Sequence, residues 1–314
     1  MLIDTIVALL DTTRRGIFRL RYFKITLFIL LLGIVALAVE AMLRHFHSNY
    51  SLTDSRGPGQ FAVFVIVLPA VLLFTWYVAR IDPLQFLLRY VVQWRRTLKG
   101  FLLMFGMTIL IAVVGYLLLA ALGNVRWSHT AWQNLRGDIV ERMAVALLIV
   151  ILLATVEETI FRSFLLRYLR HNDTRWVTVS AVVVSSFIFS ISHLVALISV
   201  WDLVSKVPML IGLFTIGLLL GTAYVATGSL ACSIGIHCGL IGFKVVLIKT
   251  HLIDLVPNWL VGGRGDIRLA PIAWLVFLLM ALTVILLRHR LQKALWIETA
   301  VCPDEGGEFK RSAQ

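Results

Sequence analysis

Val156-Glu157-Glu158-Thr159-Ile160-Phe161-Arg162 places two adjacent carboxylates and a guanidinium inside an apolar run that extends from residue 139 to 166. An ionised side chain near the centre of a bilayer costs roughly 2.5–3.5 kcal/mol on insertion scales. Charges kept at that cost are paired with one another or put to use. Two further apolar runs each hold a histidine, His193 and His237. Carboxylates and imidazoles inside a membrane are the groups that water activation requires.

The surroundings of this stretch set the class of protein. The chain has 314 residues, 60% of them hydrophobic, with a mean hydropathy of +0.91. Only 15% are charged, against about 25% in an ordinary soluble domain. Eight runs are long enough to cross a bilayer: 25–43, 61–79, 101–122, 139–166, 177–200, 207–226, 229–248 and 269–287. The expected fold is an all-α polytopic transmembrane bundle of about eight spans. Its expected organisation is an N-terminal block, 1–138, with three spans; a core, 139–250, with spans four to seven; and 251–314, with the last span and a polar tail. In the fourth run, Glu141 and Arg142 fall at the interface.

The net charge of +12 matters by its position. Arg14, Arg15, Arg19, Arg21 and Lys24 precede span one, and Arg80, Arg89, Arg95, Arg96 and Lys99 separate spans two and three. Arg167, Arg170 and Arg175 follow span four, and Arg288, Arg290 and Lys293 follow span eight. With eight spans these segments share one side, which predicts that both termini are cytoplasmic. Short loops and compact length point to a bacterial inner membrane. No basic-aromatic stripe suggests nucleic acid, so the bilayer is the expected partner of the positive charge. Residues 81–100 mix basic, aliphatic and aromatic side chains, which suits an interfacial helix or a connecting loop. The end of the chain, around Pro303–Glu308, is polar and reads as disordered. Three cysteines, Cys232, Cys238 and Cys302, form no CxxC pair and support neither a disulfide framework nor a thiolate zinc site. No cleavable signal peptide is expected, since the first long apolar run begins only after Lys24.

Glu158 and Arg162, four apart on a helix, share a face and can pair. Glu157 points about 100° away, on the side of Phe161. Arg162 then neutralises one carboxylate while the other faces a cavity, where it suits a general base or acid. A purely structural ion-pair network is the competing reading. His193 shares a face with Phe189 and Ser186, and Ser190 borders it. His237 lies among Gly235, Gly239 and Gly242, which admit either a neighbouring backbone or a substrate. Helical rise sets His193 about 24 Å from the basic end of its span, against about 15 Å for Glu157 and 12 Å for His237.

Taken in order, Glu157-Glu158-x-x-x-Arg162, Phe189-x-x-x-His193 and His237 resemble the motifs of the CPBP intramembrane proteases. That family includes CAAX prenyl endopeptidases and bacterial bacteriocin-processing and immunity proteins. The resemblance covers roughly residues 140–250. It implies a glutamate-type endopeptidase acting on a membrane-anchored or lipid-modified protein or peptide near its C-terminus. By that resemblance Glu157 and His193 activate water and His237 stabilises the oxyanion, while Glu158 and Arg162 hold the first glutamate in place. A zinc site of Glu and His ligands is chemically possible, but the resemblance favours direct water activation with no metal and no cofactor. The family's asparagine four residues after the last histidine is Ile241 here. That departure motivates an alternative, a non-catalytic membrane immunity or scaffold protein of the same fold. A proton-coupled transporter would also use Glu and His chains, but no internal repeat supports it.

Overall fold

The computed structural model describes residues 93–133, 137–170, 174–193, 203–247, 252–258, 260–261 and 267–295. The expected spans 25–43 and 61–79, most of the 81–100 segment, Cys302 and the polar tail lie outside the described residues.

Each of the six remaining apolar runs forms a helix. In chain order these are α1 (Trp94–Ala121), α3 (Gly137–Glu158), α5 (Arg175–Ser192), α6 (Leu203–Thr227), α7 (Leu230–Leu247) and α8 (Pro271–Leu286). Short helices α2 (His129–Gln133), α4 (Arg167–Leu169) and α9 (Arg288–Ala294) join them, with a 3₁₀ turn at Ile267–Leu269 before α8. Among the described residues, five helical stretches are long and apolar enough to cross a membrane: Trp94–Ala121, Met143–Leu169, Arg175–Ser192, Lys206–Thr227 and Leu230–Leu247. A sixth arises if α8 and α9, which meet at a 68° bend, count together. The protein is a helical integral membrane protein.

Three expectations change. The described part of the 81–100 segment, from Trp94 onward, is neither a loop nor a separate interfacial helix but the opening of α1. No proline interrupts Trp94–Lys99, Arg and Lys are good helix formers, and Gly100 sits inside the helix against Cys232 Sγ rather than ending it. In the 177–200 span the helix ends at Ser192, and residues 194–200 lie outside the described residues. The fourth span is not a regular α-helix throughout: Thr159–Leu166, directly after the glutamate pair, winds as a π-helix. Two threonines mark its onset. Thr155 Oγ1 donates to Ile151 O and Thr159 Oγ1 to Thr155 O, both at 2.7 Å. Such side-chain bonding to the carbonyl four residues back competes with the backbone ladder and bends helices.

α7 lies between α1 and α3 and also touches α6, which packs on α5 and α8. Glycines permit these approaches. A Cβ at Gly235 would lie 2.5 Å from Phe101 O, and one at Gly239 would lie 2.7 Å from Thr108 Cβ. The glycines around His237 therefore admit the α1 backbone. Gly217 brings α6 against Ser186 of α5 in the same way, with a built Cβ 3.0 Å from Ser186 Cα.

The two ends of the bundle differ. At one, Lys99 Nζ donates to Ala294 O at 2.7 Å and Gln292 Nε2 to Ala226 O at 2.8 Å, joining α1, α9 and the α6–α7 turn. That turn needs only two residues because Gly228 adopts φ 65°, the left-handed conformation that ends a helix without a Cβ penalty. At the other end β1 (Val125–Trp127) pairs antiparallel with β2 (Ile253–Leu255), in the register Val125↔Leu255 and Trp127↔Ile253. Val125, Ile253 and Leu255 close over Tyr116 and Phe243, so the small sheet caps α1 and α7.

Candidate active site

Both glutamates stand at the last α-helical turn of α3, and their environments are opposite. Glu158 is wholly buried, with a side-chain exposure of 0%. Its Oε1 lies 3.1 Å from Arg162 Nη1 and accepts a hydrogen bond from His237 Nδ1 at 2.9 Å. Its Oε2 accepts a short hydrogen bond from Ser233 Oγ. Glu157 keeps 20% of its side chain exposed.

Arg162, 1% exposed, is held from several sides. Its Nη2 donates to Gly217 O at 3.3 Å, and its guanidinium carbon lies 4.6 Å from the centre of the Phe189 ring. A buried ion pair is tolerable only when such extra contacts offset desolvation, and a ring face beneath a desolvated cation contributes about 2 kcal/mol. Gly217 thus serves twice: its missing side chain lets α5 approach, and its carbonyl receives Arg162.

Phe189 is the hub of the cluster. Its ring centre lies 5.1 Å from Phe161 in an edge-to-face pair, 4.7 Å from His193 and 6.2 Å from His237. Its carbonyl accepts from His193 Nδ1 at 2.7 Å and from Ser192 Oγ at 2.8 Å. Because α5 stops at Ser192, the Phe189 carbonyl is one of the terminal acceptors a helix leaves without an intrahelical partner. Ending the helix there therefore both frees the acceptor and orients the histidine.

The hydrogen bonds also set the proton positions. Carbonyl and carboxylate oxygens only accept, so both histidines carry their proton on Nδ1. In a ring with a single proton the other nitrogen, Nε2, is the acceptor, and in both histidines it faces the same oxygen. His237 Nε2 lies 3.7 Å and His193 Nε2 4.0 Å from Glu157 Oε2. These separations exceed a direct hydrogen bond. One water at ordinary distances from both atoms of the Glu157–His193 pair would subtend an angle of about 90°. Among the described residues, no group of three His, Cys, Asp or Glu side chains is disposed to hold a metal ion.

All six residues singled out by the motifs thus gather in one place, despite the unequal depths computed from helical rise. Ile241 packs instead with the apolar cluster of Val150, Ala154, Ile234 and Cys238, where it offers no hydrogen-bond donor. Ser190 and Ser186 serve helix packing: Ser190 Oγ donates to Leu210 O at 2.7 Å and Ser186 Oγ to Val182 O at 2.6 Å. Ser233 was passed over by the motif reading, although its place four residues before His237, on the same helical face, was a usable signal.

Fold and site together define a polytopic membrane protein with a buried Glu–Arg–His network beside a half-open Glu–His–His face. Residues 139–241 match the family described as Type II CAAX prenyl endopeptidase Rce1-like. This is a family of proteases, and over these residues the resemblance to CPBP intramembrane proteases holds. No curated protein and no solved structure matches the chain significantly.

Proposed function

We propose that the protein is an intramembrane endopeptidase of the glutamate type, cleaving a membrane-anchored or lipid-modified protein or peptide near its C-terminus. The convergence of two imidazole Nε2 atoms on Glu157 Oε2 carries this reading. A water between Glu157 and His193 attacks the scissile carbonyl carbon as Glu157 takes its proton. His193, anchored on the Phe189 carbonyl, orients that water through Nε2. On substrate binding His237 takes a second proton from solvent at Nε2, and the tetrahedral oxyanion accepts a hydrogen bond from that Nε2–H. The Glu158 carboxylate behind Nδ1 stabilises the imidazolium, which returns the proton to solvent as product leaves. Glu157 then returns the proton to the departing amine as the carbon–nitrogen bond breaks. In this scheme Glu158 acts chiefly on His237, whereas the family resemblance alone had it holding Glu157. With Ile241 apolar, the oxyanion has His237 as its donor among the motif residues.

The same reading takes the chain as an eight-span protein of a bacterial inner membrane with both termini cytoplasmic, its core at 139–250. The placement of β1 and β2 at one end, and of Lys99, Gln292 and Gly228 at the other, supports the alternation of the described helices.

The test is cleavage by the purified full-length protein, in detergent, of a library of lipid-anchored and unmodified C-terminal peptides, with and without a chelator. Wild type is compared with Glu157→Ala. Cleavage that needs Glu157 and is indifferent to the chelator supports the proposal. Loss on chelation moves the chemistry to a metal. Equal cleavage by the variant contradicts the role of Glu157. A biological phenotype that survives loss of both Glu157 and His193 favours the non-catalytic immunity or scaffold reading that Ile241 motivates.

A further inference from the structure

The proposed chemistry leaves one buried polar group in the cluster without a role. Ser233 sits on α7 one turn before His237, with no exposure to solvent. Its hydroxyl lies against Glu158 Oε2 and, at 3.2 Å, against Leu220 O of α6. A hydroxyl has one proton to give, and the closer partner is the carboxylate. Glu158 is therefore held at both oxygens, Oε1 by Arg162 and His237 and Oε2 by Ser233. A carboxylate with one oxygen released can rotate about its last torsion, which is broad and roughly two-fold. Rotation would bring a different oxygen, at a different distance and angle, to His237 Nδ1.

We propose that Ser233 is a positioning residue: its hydroxyl fixes the Glu158 carboxylate plane, and through it the tautomer and ring orientation that turn His237 Nε2 toward Glu157. The proposal deepens the endopeptidase reading by explaining how its oxyanion donor is aimed, but it concerns ring geometry and can be tested without any substrate. Geometry on α7 supports it. Ser233 and His237 both reach Glu158 from one helical face, so serine and imidazole of α7 meet the same α3 carboxylate, one at each oxygen. Such partners behind an active imidazole fix both the proton and the angle of the ring. Among the described residues, the charged and titratable groups around His237 are Glu157, Glu158 and Arg162 from the fourth span and His193 from the end of α5. Cys238 adjoins it on α7.

The test is nitrogen-15 NMR of the histidine rings in full-length protein in lipid nanodiscs, with the His237 signals assigned by their loss in His237→Gln. Ser233→Cys keeps the volume and replaces the strong donor with a weak one; Ser233→Thr keeps the hydroxyl. In wild type the His237 signals should show protonation at Nδ1. Ser233→Cys should move them toward a mixture of tautomers, and Ser233→Thr should restore the wild-type pattern. With a cleavable peptide from the library, Ser233→Cys should lower kcat about tenfold and leave KM unchanged. Unchanged His237 signals in folded Ser233→Cys would overturn the proposal, and so would a Ser233→Thr spectrum as altered as that of Ser233→Cys. A shifted spectrum alongside a wild type that cleaves nothing keeps the positioning role and counts against the endopeptidase reading alone.

Discussion

The two halves of the polar cluster are one residue apart in sequence and face opposite ways. On the closed side Glu158, Arg162 and Ser233 are buried and every charge has a partner. On the open side Glu157 and His193 retain about a fifth of their exposure and stand too far apart for a direct bond. His237 joins the two, with Nδ1 on the closed side and Nε2 on the open one. Adjacent carboxylates on a helix diverge by about 100°, and that angle suffices to make one a structural counter-ion and leave the other available for chemistry. A site needs both: groups free to exchange protons, and neighbours that hold them still.

Breaking the closed side should have the largest effect. Arg162→Met leaves Glu158 buried without its cation and should destabilise the protein by about 3–5 kcal/mol, read by equilibrium unfolding in mixed micelles. Glu158→Gln combined with Arg162→Met should recover much of that loss, because neither charge remains unpaired, while His237 loses its carboxylate. Gly217→Ala comes next. The added methyl falls 2.9 Å from Ser186 Cβ, so α5 must move at a cost of about 1–3 kcal/mol. Since α5 carries His193, cleavage should fall more than stability does.

Phe189→Leu sharpens the comparison, because Phe189 serves both sides, with Arg162 on its ring face and His193 on its carbonyl. The carbonyl survives the substitution, so the expected loss is the cation–π and edge-to-face contacts, about 1–2 kcal/mol. The smallest effect should come from the far end of the bundle. Trp132 Nε1 donates to Leu252 O at 3.1 Å beside the β1–β2 pair. Trp132→Phe should cost about 0.5–1.5 kcal/mol in the same unfolding experiment and leave cleavage by the polar cluster unaffected.

The sequence was most readable where the signal is local. Six apolar runs became helices, and the four-residue spacings of Glu158 with Arg162 and Phe189 with His193 reported real neighbours. Contacts between distant segments left no such trace. His237 lies 79 residues from Glu158, and only folding shows that it answers to that glutamate as well as to Glu157. The carbonyl of Gly217 as a partner for Arg162 was invisible for the same reason. The π-helix was missed because its cause, two threonines bonding back along the helix, does not disturb the hydrophobic pattern. Strands of three residues are too short to display alternation, so β1 and β2 read as loops.

The most direct test of this division of labour measures cleavage and stability together for Glu157→Gln and Glu158→Gln in the same lipid. Glu157→Gln should lose cleavage by about a thousandfold and unfold like wild type. Glu158→Gln should lose stability as well as activity. A Glu157→Gln protein that cleaves normally, or that is as destabilised as its neighbour, would contradict the account.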